Sequence, residues 1–306
     1  MYFKLKDKVA VATDASKGIG AGIAKTFANA CAFVILFAFG NTTPALSQQS
    51  ANKSNSSSAV RVYTLDGGTT AFTNADVFSD TGEYEDSSLS LPTPSYLIQH
   101  GKDWLLWDTG LSDKLAALPN GLEKFGGRFT VRKTLVAQLS KLGLKPDDVR
   151  YVGLSHLHFD HSGNIGLFPN STFLISASEL AWARAKPTPF GVDSSLISPL
   201  AQAKIIATDD DYDVFGDGTV KMLKTPGHRS LIVKLPKSGI LLITGDLYHT
   251  RKNYEKGLVP RINDRPNTLA SMDRFARIKA NTNARVIIQH SPEDFAAMPA
   301  FPKYLD

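Results

Sequence analysis

Ser155-His-Leu-His-Phe-Asp-His-Ser-Gly163 places three imidazoles and a carboxylate, those of His156, His158, Asp160 and His161, within six residues. A lone histidine is usually a packing or surface residue. Four such groups at this spacing form a ligand cluster instead. Imidazole nitrogen and carboxylate oxygen are the donors Zn²⁺ takes when it performs hydrolysis. The run uses three of the chain's seven histidines. Further on stand His228 in Thr225-Pro-Gly-His, Asp246 in Thr244-Gly-Asp and His290 in Ile288-Gln-His. These make seven candidate ligands, five of them histidine, enough for two metal ions.

The elements that must position these groups can be read from periodicity. Alternation along an extended strand end puts His156 and His158 on one side. Asp160 and His161 follow as the chain turns at Ser162-Gly163. Val149 to Leu154 reads as a buried strand delivering His156. Val220 to Leu223, Leu231 to Leu235 and Ile240 to Ile243 read as successive strands, with His228 in the loop after the first and Asp246 just beyond the third. Val286 to Ile288 is a strand ending near His290.

Upstream, Arg61 to Leu65 reads as a first strand and residues 66 to 94 as a long loop, a length usually reserved for function or disorder. Tyr96 to Gln99 and Trp104 to Trp107 form a hairpin, ended by Asp108-Thr-Gly110. Val131, Leu135, Leu139 and Leu142 recur at helical spacing, predicting a helix over 131–143 stopped by Gly143. Thr172 to Ile175 reads as a strand and Ser178 to Arg184 as a short helix. Asn267 to Ala280 reads as a helix with Leu269, Met272, Phe275 and Ala276 on one face. Ligands thus gather at strand ends of two sheets packed face to face, in a mixed α/β chain.

The histidine run resembles the metal signature of the metallo-β-lactamase superfamily. His228, Asp246 and His290 occur in the order, and at about the spacings, of its later ligands. Within the superfamily the chain is most similar to the N-acyl homoserine lactonases, through Ser-His-Leu-His-Phe-Asp-His, Gly245-Asp-Leu-Tyr248 and Gln289-His290. The resemblance covers about residues 60 to 306 and implies a four-layer αβ/βα sandwich. It implies two zinc ions per chain: one held by His156, His158 and His228, one by Asp160, His161 and His290, with Asp246 bridging. An Asp-x-Gly such as Asp108-Thr-Gly110 then anchors a ligand histidine from behind.

The implied reaction is opening of the lactone ring of N-acyl homoserine lactones, the quorum-quenching reaction, by attack of a metal-bridging hydroxide. Two cations lower the pKa of a shared water far enough to supply it near neutral pH. Asp160 relays a proton to the leaving oxygen. Tyr248 is the candidate donor to the carbonyl. It stands two residues after Asp246, with His249 at three, and strand alternation can aim either one inward. Phe72, Phe78, Phe125, Phe129, Phe159, Leu258 and Val259 are candidate walls for an apolar acyl channel.

Composition narrows the other classes. The net charge of +5 owes much to residues 1–47, which hold five lysines against Asp7 and Asp14; the remainder carries only +2. No basic stripe exists for nucleic acid. The only cysteine is Cys31, so residues 48–306 hold neither a disulfide framework nor a thiolate ligand.

Residues 29–40 form an apolar run of signal-peptide length, followed by a small-residue site at Ala45 and Ser47. Residues 48–59 read as a flexible polar spacer and 60–306 as the hydrolase domain. The chain is expected to be exported, periplasmic or secreted, without a stable membrane span in mature form. A small lactone is the expected partner, with a homodimer compatible. Leu5 to Gly20 resembles the opening strand and turn of a short-chain dehydrogenase. Asp14 stands where that family has its first glycine, and the later repeats are absent, so the segment reads as a joined fragment or a misplaced start.

Three alternatives to a lactonase remain from the residues. One is another esterase-like hydrolase on the same scaffold, acting on a different lactone, an organophosphate or a thioester. The second is a dinucleotide oxidoreductase built on the leader motif. The third is a secreted metal-binding module without turnover.

Overall fold

The computed structural model describes residues 59–225 and 228–306, together with two short strands, Val9–Ala10 and Phe33–Val34, that pair in parallel. The signal-peptide, cleavage-site and spacer readings lie otherwise outside the described residues. The architecture below belongs to the unit Ser56–Asp306.

Two sheets carry the domain. The larger has seven strands in the order Lys204–Ala207, Thr172–Ile175, Tyr151–Gly153, Asp103–Trp107, Ser95–His100, Val60–Leu65, Tyr304–Leu305. The other has five, in the order Tyr212–Asp213, Val220–Thr225, His228–Leu235, Gly239–Ile243, Arg285–Ile287. Period-two alternation divides each strand between two cores. Val60, Val62, Tyr96, Ile98, Leu105 and Trp107 of the large sheet meet Val220, Met222, Leu231, Val233, Leu241 and Ile243 of the other.

Their neighbours on the opposite faces pack outward. Leu65, Leu97, Leu106 and Val152 meet Leu135 and Leu139 of the helix Leu135–Lys141. Leu223, Ile232, Leu242 and Val286 meet Met272 and Phe275 of the helix Arg265–Thr282. The order is helix, sheet, sheet, helix: the four-layer sandwich.

Several sequence expectations need correction. Residues 66–94 are not one loop. They contain the strands Thr69–Phe72 and Leu89–Pro92, which join Gly127–Thr130 and Leu122–Lys124 in a separate four-stranded sheet. The first lies mostly half-buried, so it shows no clean alternation for a sequence pattern to catch. The helix expected over 131–143 is shorter, because Thr134 caps it by accepting from Ala137 N–H. Leu269 is 43% exposed, and Ala276 is exposed too; Thr268, Ser271, Met272 and Phe275 form the buried stripe. His228 is not in a loop but opens its strand, paired with Thr225. No helix among the described residues is long and apolar enough to cross a membrane.

Candidate metal centre

Both sheets deliver ligands at one edge. The parallel strands Asp103–Trp107 and Tyr151–Gly153 end at Asp108 and at the histidine run. The parallel pair Gly239–Ile243 and Arg285–Ile287 ends at Asp246 and His290. Backbone bonds then lock the run between the sheets: Arg229 N–H donates to Ser155 O at 2.8 Å, and Thr109 N–H to His161 O at 2.7 Å.

Close approaches beside the ligands leave room for glycine alone. At Gly191 (φ +79) a Cβ would lie 2.5 Å from His158 Cδ2. At Gly245 (φ +56) it would lie 2.5 Å from Arg229 O, so the residue before Asp246 must lack a side chain.

Asp108 anchors the cluster from behind. It sits in the left-handed region (φ 56), a conformation that non-glycine residues hold only where the surroundings over-determine it. Its carboxylate accepts from Ser155 N–H at 2.7 Å, Ser155 Oγ at 2.8 Å, His161 Nδ1 at 2.9 Å and Gln289 Nε2 at 2.6 Å. Ser155 Oγ also lies 3.0 Å from His156 Nδ1. His290 Nδ1 donates to Pro92 O at 2.7 Å. With the Nδ1 protons of His161 and His290 so engaged, their neutral rings present lone pairs at Nε2.

Those Nε2 atoms face each other at 3.0 Å. Asp246 Oδ1 lies 2.9 Å from the Nε2 of His290 and 3.1 Å from that of His161. Asp160 Oδ2 stands 3.7 Å from His161 Nε2 and 4.0 Å from His290 Nε2. The other Asp246 oxygen, Oδ2, lies 3.4 Å from His156 Nε2 and 3.1 Å from His249 Nε2. His156 Nε2 and His228 Nδ1 are buried and make no hydrogen bond.

Converging lone pairs and partnerless buried nitrogens around carboxylates are what a cation satisfies, so the residues fit metal. Among the described residues, two sets bring ligand atoms within 4.8 Å of one another: His156, His161 and Asp246, and Asp160, His161 and His290. His158 and His228 belong to neither set. Their rings flank His156, with centres 4.4 and 4.7 Å from it.

The field is uneven. Burial pushes His156 well below the usual imidazole pKa and takes His228 down to about 3. Burial lowers His158 too. At His161 burial is opposed and outweighed by Asp246, Asp160 and Asp108, which hold its pKa well above the usual value. His290 is raised against burial by Asp246. Burial works against an ionised Asp246, but His161, His290 and His156 prevail and hold its carboxyl well below the usual range.

Tyr248 is not at this centre. Its ring packs behind the five-stranded sheet against Tyr254 (5.1 Å) and Phe275 (5.8 Å). Alternation turns His249 inward instead, stacked over His290 with ring centres 5.8 Å apart. Beside the centre opens a cavity of about 370 Å³, with His158, Asp160, Asp246, His249 and His290 on one side. Phe72, Phe78, Phe125, Phe129 and Phe159 line it as expected. Leu258 and Val259 do not; they are buried in separate cores. Phe190 and Ile262 line it without having stood out in sequence, because both are exposed residues of segments lacking periodicity.

The profile of the metallo-beta-lactamase superfamily matches residues 90–290. The N-acyl homoserine lactonase AttM of Azorhizobium caulinodans is 31% identical over 264 residues, covering 81% of this chain and 99% of its own. The N-acyl homoserine lactonase AiiA of Bacillus thuringiensis subsp. kurstaki is 30% identical over 230 residues, covering 71% of this chain and 88% of its own. The solved structure of an N-acyl homoserine lactone hydrolase with N-hexanoyl-L-homoserine at its catalytic metal center superposes with a TM-score of 0.70 at 25% identity. That superposition covers 81% of this chain and all of the other. The chain belongs to the metallo-beta-lactamase superfamily.

Proposed function

We propose that this superfamily member opens the lactone ring of N-acyl homoserine lactones, and that it does so with two zinc ions. The observation that carries the reading is the division of Asp246. One of its oxygens serves His161 and His290, the other faces His156, and the residue borders a phenylalanine-lined cavity. The kinship with AttM and AiiA supports the substrate class.

His156, His158 and His228 would hold one ion and Asp160, His161 and His290 the other, with Asp246 shared. When bound, the pair supplies a hydroxide nucleophile near neutral pH and polarises the carbonyl. The protein does the rest. Asp108, through Ser155 and Gln289, keeps His156 and His161 in fixed orientations. The apolar cavity takes the acyl tail and excludes water around the ester. Asp160 borders the cavity and would carry the proton left on the attacking hydroxide to the departing ring oxygen, giving carboxylate and alcohol. His249 takes the donor role first sought in Tyr248. Its ring lines the cavity, and its Nε2–H, 3.1 Å from Asp246 Oδ2, is the donor it offers there.

The test is ring opening by the purified chain on N-acyl homoserine lactones, simple γ-lactones and a phosphotriester, before and after chelation and zinc return. Chelator-sensitive opening of the acyl homoserine lactones well above the rest is expected. Metal-dependent turnover of the phosphotriester or another ester alone would leave the centre standing and move the substrate. Export of the chain, with cleavage after residue 47, belongs to the same proposal; amino-terminal sequencing of protein recovered outside the cytoplasm checks it.

A further inference from the structure

Three large apolar side chains lie exposed around one opening. Trp182 is 41% exposed, Phe190 55% and Ile262 44%. Ile262 borders the phenylalanine-lined cavity together with Phe190, and a neighbouring polar cavity together with Trp182. His158 belongs to both walls, so the candidate metal centre lies beneath. A single exposed apolar side chain needs no explanation; a cluster of them at an opening marks a contact surface.

The stretch between Trp182 and Phe190 supplies charge. The helix Ala177–Ala183 stops at Arg184, and Ala-Lys-Pro-Thr-Pro then leads to Phe190. From residue 181 to residue 190 all but Ala183 and Pro189 are exposed. The stretch holds Arg184 and Lys186 and no acid. Among the described residues neither cation has an ion-pair partner, whereas Lys124, beside Phe125, meets Asp193 at 3.2 Å and Arg261, beside Ile262, meets Asp76 at 3.2 Å. Glu179, one turn back on the helix, accepts instead from Leu157 N–H at 2.8 Å.

This face is fixed relative to the centre. Phe159 N–H donates to Gly191 O at 2.8 Å, and Val192 N–H to Pro189 O at 3.2 Å. The Trp182 ring stands 5.9 Å from that of His158, centre to centre. Exposed rings that flank unpaired cations, with no acid among them, match an anionic bilayer. Indole settles at the headgroup level, and each cation is drawn to the negative surface potential. A second copy packed on the same face would bring like charges together instead.

We infer that the face formed by Trp182, Arg184, Lys186, Phe190 and Ile262 seats the protein peripherally on an anionic lipid surface, with the cavity mouth toward the lipid. The seat needs no membrane span and stands apart from the lactonase reading. Under that reading it lets an amphiphilic substrate pass from the bilayer to the centre without crossing bulk water.

Brominated phosphatidylcholine quenches an indole that enters the bilayer. The chain has three tryptophans. Trp107 is fully buried and Trp104 is half-buried against Tyr63, so Trp182 is the exposed one. The experiment mixes the full chain with vesicles of brominated phosphatidylcholine, alone or with phosphatidylglycerol. Tryptophan emission is followed in the wild type, in Trp182→Phe and in the double variant Arg184→Glu, Lys186→Glu, with circular dichroism as the check on folding. The wild type should be quenched on the phosphatidylglycerol vesicles and Trp182→Phe should not. Partition should fall by about 30-fold or more in the double variant, the loss of two cations near a charged surface. High salt should weaken wild-type partition in the same direction, which asks the question without a substitution. Binding through the apolar run of residues 29–40 alone would leave Trp182 unquenched, or quench it regardless of charge and salt; either result overturns the seat. So does a dimer by light scattering in which Trp182 is shielded from acrylamide while vesicles leave its emission unchanged, because the face then belongs to a second copy.

Discussion

His161 Nδ1 lies 2.9 Å from Asp108 Oδ2, a contact between a turn after one strand and a turn after the next. Asp108 receives three further hydrogen bonds, from Ser155 N–H, Ser155 Oγ and Gln289 Nε2. Four donors around one carboxylate leave it accepting roles only, which fixes the His161 proton on Nδ1 and turns Nε2 toward Asp246. The strained backbone of Asp108 is therefore part of how the centre is aimed.

Asp108→Asn keeps the shape but replaces one acceptor oxygen with a donor facing donors. Zinc affinity should fall by about 10- to 100-fold, the usual consequence of losing a partner behind a metal ligand. Competition against a chromophoric chelator measures it, and far-ultraviolet circular dichroism checks that the fold survives. Wild-type affinity in the variant would remove the orienting role.

Asp246→Asn tests the shared carboxylate. Among the described residues, it is the acid that faces His161, His290, His156 and His249 together, and neutralising it removes that shared charge. At least one of two zinc ions and most activity should be lost. Elemental analysis after desalting reports the metal; retention of two ions with full turnover would show that Asp246 does not bridge.

The convergence of the candidate ligands and the two face-to-face sheets were legible in the sequence for one physical reason. His156, Asp246 and His290 each follow a short, continuous apolar run that reads as a buried strand, and such strands are covered on both faces. What was not legible lacks such a pattern. Thr69–Phe72 is mostly half-buried, so its sheet was hidden inside an apparent loop. Phe190 and Ile262 are exposed members of aperiodic segments, and only tertiary structure brings them to the cavity. The choice between Tyr248 and His249 turns on one residue of phase after a 3-10 turn, Gly245–Leu247. Spacing from Asp246 left that phase open.

That phase makes a paired prediction. His249→Ala removes a ring at the cavity wall and should lower kcat by about 100-fold while zinc content stays at the wild-type level. Tyr248→Phe, behind the sheet against Tyr254 and Phe275, should leave kcat nearly unchanged and shift stability by less than about 1 kcal/mol. Steady-state kinetics with metal analysis on both variants decides it. The reverse pattern would restore Tyr248 as the donor.

Stability of the chelated protein should peak near neutral pH, and the sign follows group by group. Burial holds His156, His158 and His228 below the ordinary value of 6.5, so below that pH the unfolded chain binds more protons than the folded one. Each then makes stability fall with acid by up to about 1.4 kcal/mol per pH unit. Burial raises Glu179 from 4.5 to about 7, which acts oppositely between those values, because there the folded chain binds more protons. His161 and His290 are raised above 6.5, so their contribution is complete below 6.5 and is lost as pH rises through their folded values. Urea midpoints between about pH 5 and 8.5 should therefore decline on both sides of a maximum. His228→Gln should flatten the acid limb by up to about 1.4 kcal/mol per unit, and Glu179→Gln should steepen it. An acid limb that is flat in the chelated wild type would mean that these histidines are not held neutral by burial.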